Sequence, residues 1–212
     1  MSEWIVDKEK LTIIFKTKKF KHTYYAPNQE IFEKRVSKLE SIQGAKPIKL
    51  HLGCGHEHFD GYINIDAQQT QATDMVLDCT KLETFKENSV DEILAYHLIE
   101  HLPVNETTQT ITNWYRILKH GGKLVIECPD LEKVTERFFK TTDFERYYTY
   151  NNGPALIYHI YGNQGDQYEF HKMGFTKSAL SNLLSKLFEN FVFGESHKDY
   201  RIDCIHLECT KK

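Results

Sequence analysis

A chain of 212 residues, 40% hydrophobic and 27% charged, can bury one substantial core, so a single domain is the default expectation. Its formal net charge of -3 gives no bulk attraction to nucleic acid or to an anionic membrane, and no apolar run reaches signal-peptide or membrane-span length. Five cysteines without CxxC spacing read as reduced thiols, so a soluble, cytoplasmic protein is expected.

Residues 1–45 read as a separate preface. Trp4 to Phe20 is lysine-rich and β-like, and Ile31, Phe32, Val36, Leu39 and Ile42 recur at helical spacing. That spacing predicts a helix over 28–42 that packs on the core or lids a pocket. From Ile48 onward, apolar strand candidates near 48–52, 62–66, 75–78, 91–96, 123–128, 190–196 and 202–209 alternate with polar or helical connections. Such alternation predicts an α/β fold with a mainly parallel sheet covered on both faces, over a domain of residues 46–212. The short spacing between the last two strands predicts that the final one inserts antiparallel.

The segment Ile48 to Asp66, IKLHLGCGHEHFDGYINID, joins a buried strand to a glycine turn and then to an acidic strand end. Gly53-Cys54-Gly55 lets the backbone turn sharply and approach a ligand, and Asp66 can accept hydrogen bonds from both hydroxyls of a ribose. A dinucleotide fingerprint would need glycine where His58 stands. Only residues 56–61 separate Gly55 from Tyr62, too few for a crossover helix, so the first crossover is expected to be reduced to a turn.

Further along, Asp78 ends an apolar segment, where it contacts a ligand or caps a turn. In VDEILAYHLIEHL, Tyr96, His97, Glu100 and His101 emerge at a strand's carboxyl end, where α/β sheets hold ligands. Glu100 and His101 serve chemistry or hydrogen-bond the start of the next helix. Ile111, Trp114, Tyr115 and Leu118 share one face of a helix over 105–119, stopped by Gly121-Gly122. Asp130 and Thr176 read as N-caps. Residues 131–175, rich in aromatic rings, read as a helical cap whose rings mostly form a small core of its own and whose loops choose the substrate. His56, His58, His97 and His101 could share one sheet edge, but no HExxH or cysteine-rich pattern accompanies them, and no metal is expected.

These residues resemble the class I S-adenosylmethionine-dependent methyltransferases. The branch of small methyltransferase-like proteins associated with polysaccharide biosynthesis is closest, reading LxLGCG, a short gap, then GxxNxD. LKHGGKLVIECPD resembles the LKPGGxLxxxxP run of the superfamily, and the phrase from His171 to Thr176 resembles H-K-x-G-F-T of that branch. The resemblance covers about Lys46 to Lys212. It implies a Rossmann-like seven-stranded, mostly parallel sheet with an antiparallel last strand, and S-adenosylmethionine as cofactor with S-adenosylhomocysteine as product. Carried over residue by residue, Leu52, Gly53, Cys54, Gly55 and Cys79 would meet the cofactor, Asp66 its ribose, Asp78 its adenine, and Tyr96 or His97 its methionine end. His101 and His171 are the candidate catalytic residues. The acceptor implied is a small molecule or a glycan-precursor sugar, with no nucleic-acid or membrane partner. His51 stands where the family carries an acidic residue, which favours the alternative of a non-catalytic, cofactor-binding or degenerate interaction protein.

Overall fold

The computed structural model describes residues 3–10, 12–16, 21–25, 29–30, 33, 35–36, 47–148, 156–198 and 203–212. Near the N-terminus, β1 (Glu3–Asp7), β2 (Thr12–Lys16) and β3 (Lys21–Tyr25) form an antiparallel sheet of their own. Gln29, Glu30, Glu33, Arg35 and Val36 are helical, while Ile31, Phe32, Leu39 and Ile42 of the expected helix lie outside the described residues. Buried Arg35 donates a hydrogen bond to Gln69, joining this segment to the main domain.

Seven strands make the main sheet: β4 (Lys49–Leu52), β5 (Ile63–Asp66), β6 (Met75–Val76), β7 (Val90–Tyr96), β8 (Leu118–Pro129), β9 (Phe188–Gly194) and β10 (Cys204–Lys211). Their order is β6-β5-β4-β7-β8-β10-β9, with parallel pairing from β6 to β8 and β10 antiparallel to both neighbours. Leu50, Ile65, Ile93 and Ile126 are fully buried, as strands covered on both faces require. Trp114 of α1 (Val104–Ile117) packs there too, its indole N–H donating to the Cys79 carbonyl at 2.8 Å.

The connection from β4 to β5 contains no helix, as expected. It is a chain of turns, with Glu57 N–H donating to Cys54 O (2.8 Å), and buried Asn64 organises it. The Asn64 side-chain oxygen accepts from Phe59 N–H at 2.9 Å, while its amide donates to the Phe59 and Tyr62 carbonyls and to Asp74.

Two expectations need correction. The helix over 105–119 ends at Ile117, and Leu118 to Gly122 already belong to β8. Leu118 is fully buried and pairs with Val90, and the buried Lys211 ammonium satisfies the Tyr115 and Leu118 carbonyls (2.7 and 2.8 Å), ending the helix before its glycines. The insertion does contain helices, α2 (Leu131–Lys140), α3 (Asp143–Tyr147) and α4 (Leu156–Tyr161), yet its rings do not bury one another as a core. Among the described residues Phe139 and Tyr148 are 79% and 73% exposed, and the rings meet in pairs such as Phe138 with Tyr147 and Phe144 with Tyr148. Asp130 and Thr176 do cap α2 and α5 (Lys177–Leu184), accepting from Glu132 N–H and Ala179 N–H.

Candidate functional site

A cleft of about 1190 Å³ runs along the carboxyl ends of β4, β5 and β7 and meets the insertion on its far side. Gly53 and Gly55 form one wall at φ +66 and +50. A Cβ on Gly53 would stand 2.9 Å from the Leu98 side chain, so this turn requires glycine for its conformation and for its close approach. One Asp66 oxygen accepts from Gly55 N–H at 2.8 Å and the other from Gln68 N–H at 2.9 Å. Each keeps a further lone pair for a ligand hydroxyl on the cleft side.

Asp78, Cys79, Val76, Leu77, Leu82 and Leu102 line the next stretch, a largely apolar slot with a carboxylate at its rim. Asp78 Oδ1 accepts from Thr80 N–H and Oγ–H (2.9 and 2.6 Å) and Oδ2 pairs with Lys81 at 2.7 Å. Partial burial raises its pKa, but these partners outweigh that and hold it below the usual carboxylate value. The turn-capping and ligand-facing readings of Asp78 thus describe the same position. Burial pushes the thiols of Cys54 and Cys79 up to about 12, so both are protonated packing groups.

Leu52 and Cys54 are buried beneath the cleft rather than in its wall, and Cys54 Sγ lies 3.7 Å from Thr73 Oγ1. Tyr96 turns away from it, stacking on His197 with centroids 4.3 Å apart. His51 is also turned away, buried against Asn64, Phe59 and Tyr96, so its exchange for an acidic residue does not alter the cleft wall. His97 does line the cleft, at φ +49, a conformation uncommon outside glycine. Its ring nitrogens lie 3.1 Å from Glu100 and 3.3 Å from Glu127. Burial opposes its charged form, but Cys204, Glu100 and Glu127 together raise its pKa well above 6.5.

At the far end the 3-10 turn Ile99–His101 meets the insertion. The Lys172 and Met173 amides donate to the Glu100 carbonyl at 2.8 and 3.1 Å, which brings His171 beside His101 with ring centroids 4.8 Å apart. Gln68 Nε2 donates to Asp166 at 2.7 Å, joining the loop after β5 to the insertion. His56 lies at the cleft edge and His58 lies beside Asp60 and Asp74, so the four imidazoles considered from sequence do not assemble.

Several site residues escaped the sequence reading. Gln68 is a polar loop residue with no motif around it, and Asp166 closes a polar loop of the insertion without itself being singled out. Glu127 had a signal: a fully buried carboxylate interrupting the apolar run Leu124-Val125-Ile126 just before Pro129. It accepts from Ser196 Oγ–H and the His197 amide, and contacts His97 and His206.

The strand order, the glycine turn and the carboxylate after β5 agree with a direct comparison: residues 50–126 match the model of a family described as a methyltransferase domain. Residues 50–126 carry a methyltransferase domain. Solved structures share the fold. A protein from Pyrococcus horikoshii OT3 is similar at 17% identity over 87% of this chain and 93% of its own, with a TM-score of 0.54. A S-adenosylmethionine-dependent methyltransferase from Thermotoga maritima, described as a possible histamine N-methyltransferase, is 17% identical over 84% and 89%, with a TM-score of 0.52. The 1,6-didemethyltoxoflavin-N1-methyltransferase of Burkholderia thailandensis, bound to its substrate and S-adenosylhomocysteine, is 12% identical over 100% and 99%, with a TM-score of 0.53. Curated proteins yield no match. The cofactor of this methyltransferase is S-adenosylmethionine, and the cleft fits it: a glycine wall admits close backbone approach, Asp66 has lone pairs to spare, and the slot beside Asp78 is apolar. Among the described residues, no helix is long and apolar enough to cross a membrane.

Proposed function

We propose that the methyltransferase acts on a small molecule or on the sugar of a glycan precursor, as in the polysaccharide-associated branch it resembles. The observation that carries this reading is the closure of the cleft by the insertion. With Gln68 bonded to Asp166 and His171 held beside His101, the space beyond the nucleoside wall is bounded on two sides. A volume of about 1190 Å³ takes the cofactor and one compact acceptor. Residues 46–212 are the catalytic domain in this account, and 1–45 a separate extension.

When bound, the cofactor supplies an electrophilic methyl on a sulfonium sulfur. Gly53 and Gly55 hold its methionine end with His97, and Leu52 and Cys54 support that turn from beneath. Asp66 receives the ribose, and Asp78 and Cys79 border the adenine. Tyr96 stands behind this surface and supports His97 from the adjoining position. Since methyl transfer is an in-line displacement, alignment and exclusion of water supply much of the acceleration. An unactivated hydroxyl also needs to lose its proton, and His101 and His171 are placed for that step. Each donates Nδ1–H to a carbonyl, of Phe170 and His159 respectively, which leaves the Nε2 lone pair free to take it.

Transfer of tritiated methyl groups to nucleotide sugars and to small alcohols and amines tests the acceptor class, with bulk RNA and mixed protein as comparators. Label in small acceptors is the expected result. Label confined to RNA or protein would overturn the reading.

A further inference from the structure

The cluster of Glu100, His101 and His171 is arranged for more than proton transfer. One ligand-type atom from each lies within 4.8 Å of the other two. Glu100 is 1% exposed; its Oε1 pairs with His97, and its Oε2 has no hydrogen-bond partner among the described residues. A buried carboxylate oxygen left without a donor is costly and needs an explanation. Both imidazoles, meanwhile, carry the outer support of metal-binding histidines. A carbonyl can only accept, so contacts of 3.1 Å to Phe170 O and 3.0 Å to His159 O place the proton on Nδ1 and the lone pair on Nε2.

From this geometry we infer that Glu100, His101 and His171 bind a divalent transition-metal cation at the acceptor end of the cleft. Two imidazoles and one carboxylate suit Zn²⁺, Mn²⁺, Fe²⁺ or Co²⁺ better than Mg²⁺ or Ca²⁺, which prefer all-oxygen shells. Ligand bonds of about 2.0–2.2 Å require the three side chains to draw together slightly, and the exposed edge of His101 lets them do so. Three protein ligands leave coordination positions open toward the cleft that His101 lines. A hydroxyl of the acceptor bound there would be acidified and oriented by the cation, so that solvent water takes its proton in place of the two metal-bound imidazoles. The cation's use in catalysis rests on the methyltransferase reading above; its binding does not. This departs from the sequence reading, which expects no metal.

A second group, His97, Glu127 and Cys204, also lies within such distances, but its atoms are already engaged with one another and with Ser196, His197 and His206. It serves as the internal control. The full chain, stripped with a chelator, is titrated with CoCl2 while visible absorption and equilibrium dialysis report binding. S-adenosylmethionine affinity is measured on the same samples, so that failure of the cofactor site is seen separately. The expected result is one Co²⁺ per chain with no sulfur-to-cobalt charge-transfer band, retained in Cys204→Ser. His171→Ala and His101→Ala should each weaken it by more than the roughly 10–100-fold that loss of an outer partner costs. No stoichiometric Co²⁺ binding, binding unchanged in both histidine variants, or binding lost in Cys204→Ser would overturn the inference.

Discussion

Single residues on the sheet set the charge balance behind the cleft. Glu127 is the hub: burial raises its pKa, yet hydrogen bonds from His206, His97, the His197 amide and Ser196 hold it far below the usual carboxylate range. His206 is raised above 6.5, first by its hydrogen bond with Glu127 and against the effect of burial. A raised imidazole stabilises the fold fully below its unfolded pKa near 6.5 and loses that contribution as pH climbs through its folded value; a depressed carboxylate contributes above about 4.5 and loses it as pH falls. The pair therefore contributes most between those two values. Replacing His206 with Gln should lower the unfolding free energy by about 1–2 kcal/mol near pH 6, with the gap closing at alkaline pH. Urea titrations of both proteins across that range check this, and a gap that stays constant or widens toward alkaline pH contradicts it. Neither the hub nor its partners form a sequence motif, because Glu127, His197 and His206 meet only when β8 and β10 pair.

Among the elements, the helix-free passage from β4 to β5 is the most unusual. Parallel strands normally need a helix between them, and here one asparagine side chain takes over much of its hydrogen bonding. Asn64→Ala would remove the partner of the Phe59 amide, of the Tyr62 carbonyl and of the buried His51 Nδ1. A loss of about 2–4 kcal/mol is expected by chemical denaturation, and a loss under about 0.5 kcal/mol would show that the turns hold themselves. The shortness of this passage was legible in the sequence from the distance between Gly55 and Tyr62. The reason it holds was not, since the Asn of GxxNxD acts through Phe59 and Asp74, which no local pattern links. Other elements divided in the same way. The N-caps Asp130 and Thr176 were legible because capping is local, whereas the end of α1 depends on Lys211, 93 residues away. The exposed rings of α2 and α3 escaped because aromatic content alone does not say which face of a helix a ring lies on.

For the molecule as a whole, alternating apolar strands and connections were enough to indicate a mainly parallel sheet, and the close last pair of strands indicated the antiparallel β10. Gly53, Gly55 and Asp66 were legible as one strand-turn-strand unit, and all three line the cleft. On the far side His101 and His171 were candidates from the sequence, but their meeting was not legible, because it is made where the turn at Glu100 and the insertion at 166–173 dock, two segments far apart in the chain. Asp66 joins the two sides: it bonds the glycine turn through Gly55 and, through Gln68, the loop that reaches Asp166. The most direct test of the account is isothermal titration of the purified chain and of Asp66→Ala with S-adenosylmethionine and S-adenosylhomocysteine, with circular dichroism confirming that both are folded. Saturable micromolar binding, weakened at least about tenfold by Asp66→Ala, is the predicted result, equivalent to about 1.4 kcal/mol or more. A folded wild-type chain that binds neither ligand, or an Asp66→Ala variant that binds both as tightly, would contradict it.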